Sequence, residues 1–256
     1  MKITIITVCY NAEKYIEHAI RSLLAQRFQE FQYIVVDGGS SDGTKEILRK
    51  YSEHIDVIIS EPDQGLYDAM NKGLSMAIGD VVGVLNADDF LNSDRILEEI
   101  AATFEKNVSI DMAFGNVVFV DADSLKIKRY YDARFFRAWM LRFGWMPPHT
   151  ACFIRKSVFE KFGNYSLDFR IAADYELFVR TLYRHGLKFE FIDKVLVRMR
   201  TGGLSTAGWR SSLLINREIV RACSSNGLRT SLLVLMLKIP FKLIELIRRP
   251  ALEDLR

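Results

Sequence analysis

Residues 3–37 read ITIITVCYNAEKYIEHAIRSLLAQRFQEFQYIVVD, and two hydrophobic periods alternate within them. Ile3 to Val8 is a short β-branched run, the composition of a buried strand. From Ala12 to Gln26, Ile16, Ile20, Leu23 and Leu24 recur every three or four positions, which places them on one helical face. Tyr33 to Val36 is strand-like again. The alternation continues with a helix from Thr44 to Tyr51, a strand from Val57 to Ile59, a helix from Leu66 to Ile78 and a strand from Val81 to Leu85. Short strands separated by crossover helices indicate an α/β fold, with a central, mostly parallel, twisted sheet flanked by helices. Asn11 and Asp42 stand where the first two helices would be capped. Ligands of such sheets bind beyond the carboxyl ends of the strands, so the loops there are the candidate site.

After Leu85 the pattern changes. A helix from about Ser93 to Phe104 precedes a strand from Met112 to Val120, and Asp121-Ala122-Asp123-Ser124 has the composition of a hairpin turn. Phe159 to Phe162 and Tyr175 to His185 are expected to be helical, and Lys188 to Val197 a late strand. From Gly208 the chain reads as helical and increasingly amphipathic. The division expected is an α/β domain over 1–205 and a helical extension over 206–256.

A chain of 256 residues with 49% hydrophobic composition can bury a full core. Its 35 basic and 32 acidic residues leave a formal charge of +3, too balanced to mark a nucleic-acid binder. Cys9, Cys152 and Cys223 lie too far apart in sequence for a metal-ligand pair, and three is not an even disulfide framework. Reduced thiols suit a cytosolic compartment. The start lacks the length and cleavage site of a signal peptide, and no run reaches the roughly 18 apolar residues of a spanning helix. The expectation is a cytoplasmic protein, resting at most on the inner face of the cell membrane.

The acids carry the chemistry. Asp37 directly follows the second strand, and Asp88 and Asp89 follow the fourth. An acid at a strand end can accept from a base N–H or a ribose hydroxyl, as in dinucleotide folds. Two adjacent acids suit a hard cation that keeps water and phosphate oxygens as its other ligands. Each acid alone reads more readily as a cap or turn residue; their recurrence at strand ends reverses this and favours a ligand site.

Five segments, in order, sharpen this reading: Thr7-Val8-Cys9-Tyr10-Asn11, Val35-Val36-Asp37-Gly38-Gly39-Ser40-Ser41-Asp42-Gly43-Thr44, Asp63-Gln64-Gly65-Leu66-Tyr67-Asp68-Ala69-Met70-Asn71-Lys72-Gly73, Leu85-Asn86-Ala87-Asp88-Asp89, and Ala173-Asp174-Tyr175-Glu176-Leu177. Through them the chain resembles, over roughly residues 1 to 205, the inverting glycosyltransferase family 2 with the GT-A fold, and within it bacterial enzymes of exopolysaccharide, lipopolysaccharide and colanic-acid assembly. The resemblance implies transfer of one sugar from a nucleotide-sugar donor, a UDP-sugar being favoured, to a glycan or polyprenyl-diphosphate-linked acceptor. It implies that Thr7, Tyr10 and Asn11 line the nucleotide pocket, that Asp37 reads the base, and that Lys72 and Asn86 belong to the donor site. Asp88 and Asp89 would hold the ribose and Mg²⁺ or Mn²⁺. Asn86 stands where the family's acidic motif begins with Asp, which removes one negative charge but keeps an amide oxygen as acceptor. Asp174 is the implied general base, with a helix cap as the plain alternative; Glu176 is structural or positions the acceptor.

His149, in Pro147-Pro148-His149-Thr150, stands at the acceptor or diphosphate side or is structural. Arg198 and Arg200, before Thr201-Gly202-Gly203, match the segment that closes over the diphosphate in relatives, or form a solvated strand edge. From Lys126 to Trp145 basic and aromatic residues interleave, a composition that fits a lipid-diphosphate-linked acceptor. Single-stranded nucleic acid fits the same composition, but the acidic site argues against it. In the tail from Leu228 to Arg249, Lys238, Lys242, Glu245 and Arg249 form one polar stripe on an apolar helix, interrupted near Pro240. Such a helix lies on an anionic membrane surface, packs on the core or joins two subunits; the first is favoured. A sugar nucleotidyltransferase would show a Gly-rich loop with Arg where Asn11-Ala12-Glu13 stands, an NAD enzyme would need a Gly-x-Gly-x-x-Gly, and a non-catalytic binding subunit would not need to keep Asp88, Asp89 and Asp174.

Overall fold

The computed structural model describes residues 1–202 and 209–238. In chain order the elements are β1 (Ile3–Cys9), α1 (Ile16–Leu24), β2 (Phe31–Asp37), α2 (Thr44–Lys50), β3 (Val57–Ser60), α3 (Leu66–Ser75), β4 (Val81–Val84), β5 (Phe90–Leu91) and α4 (Ile96–Lys106). They continue with β6 (Met112–Val120), β7 (Ile127–Tyr131), β8 (Cys152–Arg155), α5 (Lys156–Phe162), α6 (Ala173–Phe178), β9 (Phe189–Arg200), α7 (Trp209–Ser225) and α8 (Leu232–Met236).

One sheet runs through the molecule in the order β3-β2-β1-β4-β8-β6-β9-β5, with β7 paired to β6. Its first four strands are parallel, as helical crossovers require. β8 then enters antiparallel between β4 and β6, so the sheet is mixed rather than mostly parallel beyond that point. β1 shows how the sheet is held: Ile3 and Ile5 pack with α1 and α4 on one face, whereas Ile6 and Val8 pack with α3 and α6 on the other. A strand buried on both faces is apolar at nearly every position, which is what makes it legible as a run.

Three local expectations change. α1 begins at Ile16 rather than Ala12, because Asn11 adopts a left-handed φ of 49° and its amide oxygen accepts from Ser41 N–H (2.9 Å) instead of capping the helix. The Tyr175 to His185 helix divides into α6 and a wider π turn over Val179–Arg184. The late strand runs on to Arg200.

In the C-terminal part, Ile219, Ala222 and Cys223 of α7 are buried in the same core as α3 and α6. Leu235 of α8 is buried, while Leu232, Leu233, Met236 and Leu237 are exposed. The stripe residues Lys242, Glu245 and Arg249 lie outside the described residues, as does Gly203. No described helix is long and apolar enough to cross a membrane.

Candidate active site

Because β2, β1 and β4 run in parallel, their carboxyl ends meet at one edge. Cys9 lies opposite Asp37 in register, Gly38 N–H donates to the Cys9 carbonyl (2.9 Å), and Leu85 N–H donates to the Ile6 carbonyl (3.0 Å). The loops after β1 and β2 are laced together. Asn11 N–H donates to Ser40 Oγ (2.8 Å), Ala12 N–H to Thr44 Oγ1 (2.8 Å), Glu13 N–H to Asp42 (3.1 Å), and Gly43 N–H back to Glu13 (2.6 Å). Asp42 also accepts from Thr44 N–H (3.1 Å), which closes the turn before α2, but the N-cap position is Gly43 rather than the expected Asp42.

Asp37 sits at this edge but faces inward. It is 0% exposed, and its carboxylate accepts from Ser40 N–H (3.0 Å), the Ser40 hydroxyl and Ser60 Oγ (2.7 Å). Cys9 Sγ lies 3.9 Å from it, and burial together with the Asp37 charge pushes that thiol far up. Thr7 is equally enclosed, with its hydroxyl 3.2 Å from that of Tyr33. The structure therefore brings neither Thr7 nor Asp37 to the rim surface, in contrast to the pocket-lining and base-reading roles that the resemblance implies. Tyr10 is presented there, 66% exposed, beside exposed Asn11. Lys72, on α3, is committed to the neighbouring loop: its Nζ donates to the Pro62 carbonyl (3.1 Å) and pairs with Glu61 (2.8 Å) and Asp68 (3.5 Å).

Past β4, Asp89 is 2% exposed and accepts from Asn86 Nδ2 (3.2 Å) and Arg200 N–H (3.3 Å). Burial and the neighbouring Asp88 carboxylate push its carboxyl well above the usual range; Asp88, half-buried, is raised mainly by burial. Asn86 Oδ1 is buried without a hydrogen-bond partner. A strained acid pair beside an orphaned amide oxygen is an oxygen-rich set short of positive charge, which fits a hard divalent cation. Among the described residues no group of three or more His, Cys, Asp or Glu could hold a metal, so most of such a cation's ligands would be water or phosphate oxygens.

Arg200 offsets only part of this charge, and its guanidinium makes no hydrogen bond to either carboxylate. Its Nη1 donates to the Asp88 carbonyl (2.6 Å), its Nη2 meets His18 Nδ1 (2.6 Å), and the guanidinium lies over Tyr15 and Phe90 (4.8 and 4.9 Å). It is buried and engaged on several sides, holding the loop rather than reaching out to a diphosphate. Arg198 is likewise taken up by Asn92 (2.7 Å).

Asp174 lies in the first turn of α6, held by one oxygen only. Its Oδ1 accepts from Tyr175 N–H (2.8 Å) and lies 3.0 Å from the Tyr67 hydroxyl, which also reaches the Ile171 carbonyl (2.6 Å). Oδ2 has no hydrogen-bond partner among the described residues. Beside it, Tyr67 stacks on Tyr165 (5.7 Å between ring centres), and His149 Nε2 meets Tyr165 Oη at 2.8 Å. Burial lowers the His149 pKa, with the Asp174 charge opposing. Glu176 instead pairs with Arg180 (3.0 Å) and accepts from Asn226 (3.1 Å), a structural role.

Two residues that the sequence left unassigned hold this corner. Tyr67 lies inside a quoted segment but was given no role there; the structure buries it on α3 with its hydroxyl turned to Asp174. Glu218 of α7 is 8% exposed and accepts from the backbone N–H groups of Arg170, Ile171 and Ala172, each at 2.9 Å, fixing the segment that leads into Asp174. No local pattern announces such a contact. In the basic and aromatic stretch, Tyr130 and Phe136 are core residues and Arg134 pairs with Asp132 and Asp193, while Phe135 and Trp139 remain exposed.

Comparison with known proteins identifies the family. The model of the family described as Glycosyl transferase family 2 matches residues 4–163. An uncharacterized glycosyltransferase of Mycobacterium tuberculosis is 34% identical over 181 residues, covering 70% of this chain and 68% of its own. A PGL/p-HBAD biosynthesis glycosyltransferase of Mycobacterium bovis is 28% identical over 216 residues, 79% of this chain and 78% of the relative. Among solved structures, S. aureus TarS 1-349 in complex with UDP-GlcNAc superposes with a TM-score of 0.67 at 21% identity, over 86% of this chain and 67% of that one. The mannosyltransferase PcManGT from Pyrobaculum calidifontis, in complex with GDP-Man and Mn2+, gives 0.58 at 16% identity, over 94% and 79%.

Proposed function

Since the chain belongs to glycosyltransferase family 2, we propose that it transfers a single sugar, with inversion, from a UDP-sugar to a hydroxyl of a glycan or polyprenyl-diphosphate-linked acceptor. The observation that carries this reading is Asp174, a carboxylate with one oxygen anchored by Tyr67 and Tyr175 and the other open. Anchoring fixes the direction of the open lone pair, which is what a general base requires. The acceptor hydroxyl gives its proton to Asp174 Oδ2 as its oxygen bonds to the anomeric carbon. The bond from that carbon to the diphosphate oxygen breaks in the same step, and the nucleoside diphosphate leaves with the electron pair.

Asp88, with Asp89 and Asn86 behind it, would hold Mg²⁺ or Mn²⁺. A divalent cation there offsets negative charge on the departing diphosphate. The exposed ring of Tyr10 would stack on the base. Exposed Phe135 and Trp139 offer sugar-stacking faces to the acceptor. The exposed apolar residues of α8 support peripheral attachment at the cytoplasmic membrane face. Co-sedimentation with anionic liposomes, for the full chain and for one ending before Leu228, tests that attachment. If both remain in the supernatant, the tail is not a membrane anchor.

The deciding experiment is a panel of UDP-, GDP- and dTDP-sugars with Mn²⁺, Mg²⁺ or chelator, scored for transfer and for hydrolysis. Cation-dependent turnover of a UDP-sugar, with an inverted product configuration by NMR, is the expected result. Retention of configuration would reject the single displacement.

A further inference from the structure

The nucleotide edge needs an outward-facing acceptor, and Asp37 cannot be it, because its oxygens are used by Ser40 and Ser60. The next residue, Gly38, has no side chain, and the space a Cβ would take there is occupied: Asp63 Oδ2 lies 2.3 Å from that position. Asp63 belongs to the loop between β3 and α3, and this loop is held tightly over the ends of β1 and β2. Glu61 N–H donates to the Asp37 carbonyl (3.0 Å), Lys72 clamps the Pro62 carbonyl (3.1 Å), and Pro62 packs over Gly39. Asp63 Oδ1 accepts from Gly65 N–H (2.8 Å), which closes the turn and orients the carboxylate. Its Oδ2 has no hydrogen-bond partner among the described residues, and the residue is half-buried rather than enclosed. One oxygen is thus anchored and the other offered beside the Cys9–Gly38 junction, where Tyr10 presents its ring.

We infer that Asp63, reaching across the bare backbone of Gly38, is the carboxylate that reads the donor's nucleobase, accepting a ring N–H such as that of uracil. A carboxylate is an acceptor only, so it favours a base edge that presents a donor and disfavours cytosine, whose corresponding ring nitrogen is an acceptor. A side chain at position 38 would displace the Asp63 carboxylate from this orientation. The inference rests on the reading of this edge as a nucleotide site.

The test is calorimetric titration of the full-length protein with UDP and with CDP in the presence of Mn²⁺, for the native chain and Asp63→Asn. Asparagine keeps an oxygen for Gly65 N–H and places an amide N–H where Oδ2 stood, so the turn survives while the acceptor becomes a donor. UDP affinity should fall about tenfold to a hundredfold, as for loss of one hydrogen bond to a charged group, and the preference for UDP over CDP should fall with it. Gly38→Asp combined with Asp63→Ala returns a carboxylate to the same corner and should recover part of the UDP affinity that Asp63→Ala loses. Unchanged UDP affinity in Asp63→Asn, an equal loss for both nucleotides, or a double variant no better than Asp63→Ala would each overturn the assignment. A native chain that binds no nucleoside diphosphate would instead reject the nucleotide-sugar reading itself, and this assignment with it.

Discussion

Asp174→Asn isolates the general base from the scaffold around it. The amide oxygen still accepts from Tyr175 N–H and still faces the Tyr67 hydroxyl, and Glu218 still holds residues 170–172, so the first turn of α6 keeps its geometry. Only the outer atom changes, from a carboxylate oxygen with a free lone pair to an amide nitrogen that cannot take a proton. General-base catalysis is worth about 10² to 10⁴ in rate, so turnover should fall by that factor, or about 3 to 5 kcal/mol in barrier height. Donor affinity should not move, since the base serves the acceptor. The assay is turnover at saturating donor and acceptor beside calorimetric donor binding for the same preparation. Turnover near that of the native enzyme would leave Asp174 as a residue that only orders the first turn of α6, whose N-cap is Ala172, and would leave the base unassigned. A parallel loss of donor affinity would place it on the wrong substrate.

Asp88→Asn should separate stability from function. The raised carboxyl pKa values of the Asp88–Asp89 pair mean that the folded state holds their protons more tightly than the unfolded chain does. Their contribution to stability is present below the unfolded value near 4 and is lost as pH rises through the folded values. In chelator at neutral pH, Asp88→Asn should therefore melt higher than the native chain by scanning calorimetry, yet lose the Mn²⁺-dependent gain in UDP affinity; a lower melting temperature would contradict the strained-pair account. His149 has the opposite sign: burial lowers its folded pKa, so its contribution is complete above about 6.5 and declines as pH falls below that value. His149→Gln should shrink the native chain's loss of stability between neutral and mildly acidic pH, measured as the difference between the two proteins in urea, and an identical pH dependence would rule out a half-buried imidazole held neutral. Glu218→Ala orphans three backbone N–H groups and should destabilise the fold by about 2 to 4 kcal/mol in urea unfolding; no loss would mean that α7 is a detachable appendage.

Much of this protein could be read from its residues alone. Runs such as Ile3 to Val8 and Tyr33 to Val36 are strands because a strand buried on both faces must be apolar throughout, and Ile16, Ile20 and Leu23 share a helical face because the backbone repeats every 3.6 residues. These periods are local, so the first four strands, their parallel sense and the edge carrying Asp88 and Asp89 followed from them. Direction and partnership did not. Asp37 was placed at the edge by its position after β2, but Ser40 and Ser60 turn it inward. Arg200 was expected over the diphosphate or at a solvated strand edge, but His18, Tyr15 and Phe90 enclose it. Asp63 gains its outlook only because Gly38 leaves room, and Asp174 gains its orientation from Tyr67 and Glu218. Sequence periodicity reports which way the backbone buries its apolar side. Which atom of a polar side chain stays free depends on the donors and acceptors around it, and here the chain brings those from segments far apart in sequence, so only the tertiary structure decides.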